Sequence, residues 1–306
     1  MSTYLFRYRE EIPLHWQSAL PNYYSLTTNT KKDILFIRLL TGTISLGHIK
    51  YKDNDGNIIY YNNKTNYSLF PKVNFNTAST KQLRDFIDPF DLSKFQSYST
   101  KFYGSNIAFY NNLLSELSFF IFYKNINLDQ SAFVYLYRML EYVSYSFPLI
   151  HAMHQRNYIG SFNSLKSFFI GEKTSEIKFF ELFINNLLSA EPILQATSDF
   201  SFDHADTTIA RNCHNAFKNL LKHTEWHPTS DPSTYTLTVE NNLLIRLFKA
   251  TRNRYFHFAV GGQRNIGSAD LKDPDFFFQC INDTFLNWIG RIFKEITKES
   301  IDNTII

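Results

Sequence analysis

From Ser105 onward the apolar residues of this chain recur at helical spacing. Tyr110, Leu113, Leu114, Leu117, Phe120 and Ile121 advance in steps that keep them on one side of a helix. A second helix follows Asp129, whose carboxylate suits an N-cap. Its stripe of Phe133, Leu136, Leu140, Val143 and Phe147 leads to Pro148, where the missing amide hydrogen predicts its end. Ile177, Phe180, Ile184, Leu187 and Leu188 mark a third, stopped near Glu191-Pro192, with a shorter stretch from Phe162 to Ile170 ahead of it. Ile209, Ala216, Phe217, Leu220 and Leu221 predict another, capped near Asp206. His223 to Tyr235 is polar, carries Pro228 and Pro232, and reads as a loop. Leu243, Leu244, Leu247 and Phe248 then form the buried stripe of a helix from about Val239 to Phe258, with Gly261-Gly262 as its stop. The last helix has the clearest start, with Asp273 as N-cap, Pro274 at the first position and Asp275 in the first turn. Phe277, Ile281, Phe285, Trp288, Ile292 and Ile296 line one of its sides.

Residues 1–100 follow a different pattern. Ile34 to Leu40 is a short apolar run. Ile44 to Tyr51 alternates, Asp53-Asn54-Asp55-Gly56-Asn57 is a turn cluster, and Ile58 to Tyr61 follows, which predicts a hairpin. Pro13, Pro21, Pro71 and Pro89 interrupt any long helix, and Asp85 to Lys94 reads as a connector. The expected fold class is α+β overall. An α+β or mostly β region over residues 1–100 precedes an all-α irregular helical bundle over residues 105–306.

The 306 residues are 44% apolar and 17% aromatic, with 31 Phe and 19 Tyr, enough for an aromatic-rich core. A net charge of +3 is too small for the chain as a whole to act as a polyanion binder. Two distant cysteines, Cys213 and Cys280, and an N-terminal stretch without an apolar signal core predict free thiols in a cytoplasmic protein. No run is long and apolar enough to predict a membrane span.

The chemistry concentrates at Arg252-Asn253-Arg254-Tyr255-Phe256-His257. Asn253 and His257 are four apart, so on this helix they share a face, with Arg252 on the same turn. A guanidinium that grips phosphate oxygens beside an imidazole that moves a proton near neutral pH suits a phosphodiester. No residue between Glu240 and Asp270 is acidic, although the chain carries 28 Asp and Glu. Arg246, Lys249, Arg254 and Arg264 stand in that window with Arg252, a local basic patch fit for a nucleic-acid backbone.

The hexapeptide resembles the Arg-x4–6-His signature of the HEPN superfamily, in the form with Asn after the Arg. The resemblance covers the motif and the helical context from Ser105, not the first hundred residues. It implies a metal-independent endoribonuclease without a cofactor, of the kind found among toxins and anti-phage effectors. RNA would supply its own nucleophile, the 2′-hydroxyl. Arg252 would hold the scissile phosphate, His257 would act as general acid or base, and Asn253 would orient the imidazole or the phosphate. Cleavage would leave 2′,3′-cyclic phosphate ends. Family members often support the motif with a polar residue from an earlier helix, for which Glu141 is the candidate. The resemblance, together with the count of one motif per chain, implies a homodimer with a composite site. An unrestrained nuclease would also call for an antitoxin or other regulatory partner. The other reading is a HEPN-like dimer module that binds RNA or protein without catalysis.

Three further groupings lack the right spacing. Arg211-Asn212-Cys213-His214 sets Arg and His only three apart. His223 and His227 could share a helical face but precede Pro228 and have no second ligand pair, and His151 and His154 are alone. No metal site and no Gly-rich phosphate loop is expected.

Overall fold

The computed structural model describes residues 5–18, 20–61, 92–154, 159–160, 162–163, 166, 176–188, 191–221, 228–257 and 265–303. Its principal elements are β1 (Phe6–Glu10), α1 (Lys32–Leu40), β2 (Ile44–Lys52), β3 (Ile58–Tyr61), α2 (Leu92–Phe102), α3 (Ile107–Asn125), α4 (Asp129–His154), α5 (Glu176–Leu187), β4 (Thr197–Ser201), α6 (Thr207–Lys218), β5 (Thr229–Asp231), β6 (Thr236–Glu240), α7 (Leu244–Phe256) and α8 (Pro274–Asn303). The chain forms two compact units. One comprises Met1–Ile126, Leu149–Arg156 and Ile289–Ile306, the other Asn127–Pro148 and Asn157–Trp288. The division does not follow a cut near residue 100, because α4 and α8 each contribute to both units.

The first unit carries the expected hairpin. β2 pairs antiparallel with β3 and, on its other edge, with β1. The turn closes as its residues dictate. Asp53 Oδ1 accepts from the backbone amides of Asp55 (3.0 Å) and Asn57 (2.8 Å), and Gly56 takes φ +82°, a conformation that favours glycine. The run Ile34 to Leu40 lies within helix α1, and every residue of it is buried. α3 covers the sheet through aromatic contacts, with Phe119 edge-on to Phe6 at 4.9 Å and Phe122 stacked on His48 at 4.7 Å, ring centre to ring centre. Arg38 is fully buried in this unit. Its guanidinium donates to Thr43 Oγ1 (3.2 Å), to the Tyr24 carbonyl (3.0 Å) and to Glu10 Oε1.

The second unit has an aromatic core. Phe248 stacks on Phe285 at 4.4 Å, and Phe133 meets Phe248 at 5.0 Å and Phe278 at 4.8 Å. Its helices are anchored by the residues that predicted them. Asp206 Oδ1 accepts from Thr208 N (2.7 Å) at the start of α6, and Asp273 Oδ1 from Phe276 N (3.0 Å) at the start of α8. Asp275 Oδ1 reaches back to the backbone amide of Gln130 at 2.8 Å.

The C-terminal region is not all-α. A three-stranded antiparallel sheet in the order β4-β6-β5 is set among its helices. β5 falls in the segment read as loop, and β6 ends on Val239 and Glu240, the residues read as the start of the motif helix. Leu237 and Val239 are buried while their neighbours are not, the period of a strand. α4 also continues past Pro148 to His154. A proline inside a helix forfeits the bond to the carbonyl four residues earlier, here Ser144. The buried Phe147 and, farther on, His151 Nδ1 at 3.1 Å from Glu299 hold the helix on both sides of the defect. Membership changes from one unit to the other at this proline. Of the stretch Phe162 to Ile170 the described residues, 162, 163 and 166, are helical, and its other residues, the connector Asp85 to Lys94 up to residue 91, and Gly261-Gly262 lie outside the described residues. No described helix is long and apolar enough to cross a membrane.

Candidate active site

The motif sits at the end of α7, and the start of that helix is pinned by a buried amide. Asn241 Nδ2 donates to the Ile193 carbonyl (2.7 Å), its Oδ1 accepts from Ser198 Oγ (2.6 Å), and its backbone amide reaches the Ala196 carbonyl (3.0 Å). Leu244, Leu247, Phe248 and Thr251 then form the buried stripe, with Thr251 Oγ1 bonded to the Leu247 carbonyl. At the far end Tyr255 hydroxyl meets Gln130 Oε1 (3.0 Å) and Ser268 Oγ (2.8 Å). The carbonyl of Arg254, one of the last-turn groups that a helix cannot satisfy internally, accepts from the Ile266 amide at 2.9 Å.

The helix stops at Phe256, and His257 has left it with φ −113° and ψ 81°. The expected common face for Asn253 and His257 therefore fails, because the four-residue relation holds only while both ends are helical. Asn253 Oδ1 instead accepts from Arg252 Nη1 at 3.1 Å. Arg252 also lies over the ring of Tyr137, with its guanidinium carbon 4.9 Å from the ring centre. Arg252, Asn253 and His257 are all half-buried, neither sealed in the core nor fully in solvent. The His257 imidazole makes no hydrogen bond among the described residues. The end of α7 thus presents a guanidinium braced by an aromatic face and an amide, followed within a few residues by an imidazole.

The basic patch does not gather on one side. Residues two apart on a helix point about 200° apart, so Arg252 and Arg254 leave on opposite flanks of the buried stripe. Arg254 donates through Nη1 to the Asn219 carbonyl at the end of α6. Arg246 pairs with Glu181 Oε1 at 2.6 Å, and Lys178 sits 3.1 Å from the same carboxylate, so Arg246 belongs to an ion-paired group on α5 rather than to the motif. Lys249 is half-buried on α7, and Arg264 lies outside the described residues.

Tyr137 is the α4 residue seen against the motif arginine. Gln130 touches Tyr255, Phe133 stacks 5.9 Å from Phe256, and Tyr137 lies under Arg252, so the two helices run in opposite directions. Glu141 lies one turn farther along α4, level with an earlier turn of α7. The side chain that supports the arginine is Tyr137, and its four-residue step from Phe133 along the apolar stripe was the available signal. In the motif-like Arg211 to His214 segment, Cys213 and His214 are buried. His214 Nε2 lies 3.2 Å from Ser230 Oγ and Nδ1 3.4 Å from Asn215 Oδ1, and burial holds the imidazole below its ordinary range. His223 and His227 lie outside the described residues. Cys213 and Cys280 are free thiols, and burial pushes Cys213 up to about 12.

No protein-family model matches this sequence, and no curated protein or solved structure matches it either.

Proposed function

We propose that this protein is a HEPN-like, metal-independent endoribonuclease that works as a homodimer in the cytoplasm, as a toxin or anti-phage effector under the control of a partner. The observation that supports this reading is the end of α7, where Arg252 is braced over Tyr137 and against Asn253 and the half-buried His257 makes no hydrogen bond among the described residues. In the proposed reaction a base takes the proton of the RNA 2′-hydroxyl, whose oxygen forms a bond to phosphorus. The bond from phosphorus to the 5′-oxygen breaks, and an acid protonates that oxygen. Arg252 holds the phosphate and offsets charge as it builds. One chain supplies one such imidazole, and two copies would supply the acid and the base.

The test is purified protein with single-stranded RNA in excess EDTA. Cleavage persists, leaves 2′,3′-cyclic phosphate and 5′-hydroxyl ends, and disappears in Arg252→Ala and in His257→Ala while both variants keep the wild-type melting curve. Undiminished cleavage in His257→Ala defeats the proposal. A second reading, RNA binding without cleavage, is favoured by Asn253, whose oxygen is engaged by Arg252 instead of directing an imidazole. Under that reading wild-type protein binds RNA and leaves it intact.

A further inference from the structure

A cleft of about 600 Å3 opens on the flank of α7 away from Arg252. One wall is a stripe of α6. Asn212, Asn215 and Asn219 recur at steps of three and four and face the same way, with Ala216 between them. Arg254 stands across from them, and Asn265 with the turn that follows closes the cleft. Ile266 and Ala269 add apolar surface.

This lining is unusual in its charge and in its hydrogen-bonding character. Four carboxamides contribute no net charge, yet each carries a carbonyl acceptor and a two-hydrogen donor. Among the described residues the charged side chains of the cleft are Arg254 and Asp270, and Asp270 Oδ2 is occupied in capping its own turn through the Gly267 amide at 3.0 Å. Asn212 Nδ2 donates to the Asp270 carbonyl at 2.8 Å, which ties the α6 stripe to that turn. Asn215 and Asn219 are exposed, and the Asn219 side chain makes no hydrogen bond among the described residues. A site for phosphate alone would gather cations, and a site for an apolar ligand would not line itself with amides. Paired donors and acceptors beside small apolar patches match the edge and face of a nucleobase. Asparagine in particular can bond two adjacent atoms of a base edge.

We propose that this cleft receives an unpaired base of single-stranded RNA, with Asn215 and Asn219 reading its edge and Arg254 holding the adjoining phosphate. The inference rests on the RNA reading of the α7 end and adds a base preference to it. Arg252 and Arg254 are two residues apart, so the scissile phosphate and the base-holding cleft lie on the two sides of one helix end.

The test uses full-length His257→Ala protein, so that RNA stays intact, and short single-stranded homopolymers of A, C and U. The expected result is a preference of about tenfold for one of the three. Asn215→Ala/Asn219→Ala should level the three affinities, and Arg254→Gln should weaken all three alike and reduce the salt dependence. Equal binding of all three by the parent protein, or a preference that survives in the double asparagine variant, overturns the cleft assignment. Cleavage is assayed separately with His257 intact. Base preference without cleavage sinks the nuclease and leaves the cleft, cleavage without preference does the reverse, and the absence of both binding and cleavage removes both.

Discussion

The guanidinium carbon of Arg252 lies 4.9 Å from the centre of the Tyr137 ring, so the candidate phosphate-binding arginine leans on the face of a tyrosine from a different helix. Stacking of this kind contributes ~0.5–2 kcal/mol depending on desolvation. Tyr137→Leu keeps much of the buried bulk and removes the aromatic face. RNA cleavage should fall about two- to tenfold, far less than in Arg252→Ala, with the melting curve little changed. Initial rates on labelled RNA check this, and a rate equal to wild type would show that the ring does not position the arginine.

Asn253 contributes its carbonyl oxygen to Arg252 at 3.1 Å. A carboxylate at this place would form an ion pair with the guanidinium and compete with phosphate. Asn253→Asp should therefore weaken RNA binding more than Asn253→Ala, and by a margin that shrinks as salt rises. Filter binding over a salt series separates the two variants.

Arg38 is a fully buried cation whose donors reach Glu10, the Tyr24 carbonyl and Thr43. Its removal takes the donor from the Tyr24 carbonyl and from the half-buried Glu10 carboxylate, and Arg38→Met should cost ~1.5–3 kcal/mol in urea denaturation. Arg9→Met, which breaks an exposed contact with Glu11 at 3.2 Å, should cost at most ~1 kcal/mol by comparison.

His214 gives a pH-dependent contribution whose sign follows from its surroundings. Burial lowers its folded-state value, and the nearby Lys218 pushes the same way. The folded state therefore resists protonation more than the unfolded chain. The contribution is fully present above the ordinary histidine range and is lost as pH falls through the lower folded value. The melting temperature should drop between pH 7 and pH 5, and the drop should be shallower in His214→Gln.

The parts of the fold readable from sequence were those fixed by one or two local residues. Asp206 and Asp273 cap helices because a carboxylate satisfies exposed amides wherever the chain starts to coil, and the Asp53 to Asn57 turn closes through its own side chains. The second sheet was hidden because its strands are short and polar. Thr229–Asp231 buries no side chain fully, and Thr197–Ser201 buries Phe200 alone. Such strands are held by pairing with β6, a tertiary fact without a periodic trace. At the candidate site the motif arginine was legible as a residue type, but its neighbours were not. Tyr137 looked like one more core position, and the Asn212, Asn215 and Asn219 stripe became visible once α6 stood across from Arg254.

Because His257 comes after the final rung of α7, its distance along the chain from Arg252 is not governed by helical pitch. One more residue inserted between Phe256 and His257 would carry the imidazole elsewhere without costing the helix a single bond. A packed cylinder fixes the arginine, and the departing chain alone sets where the histidine falls.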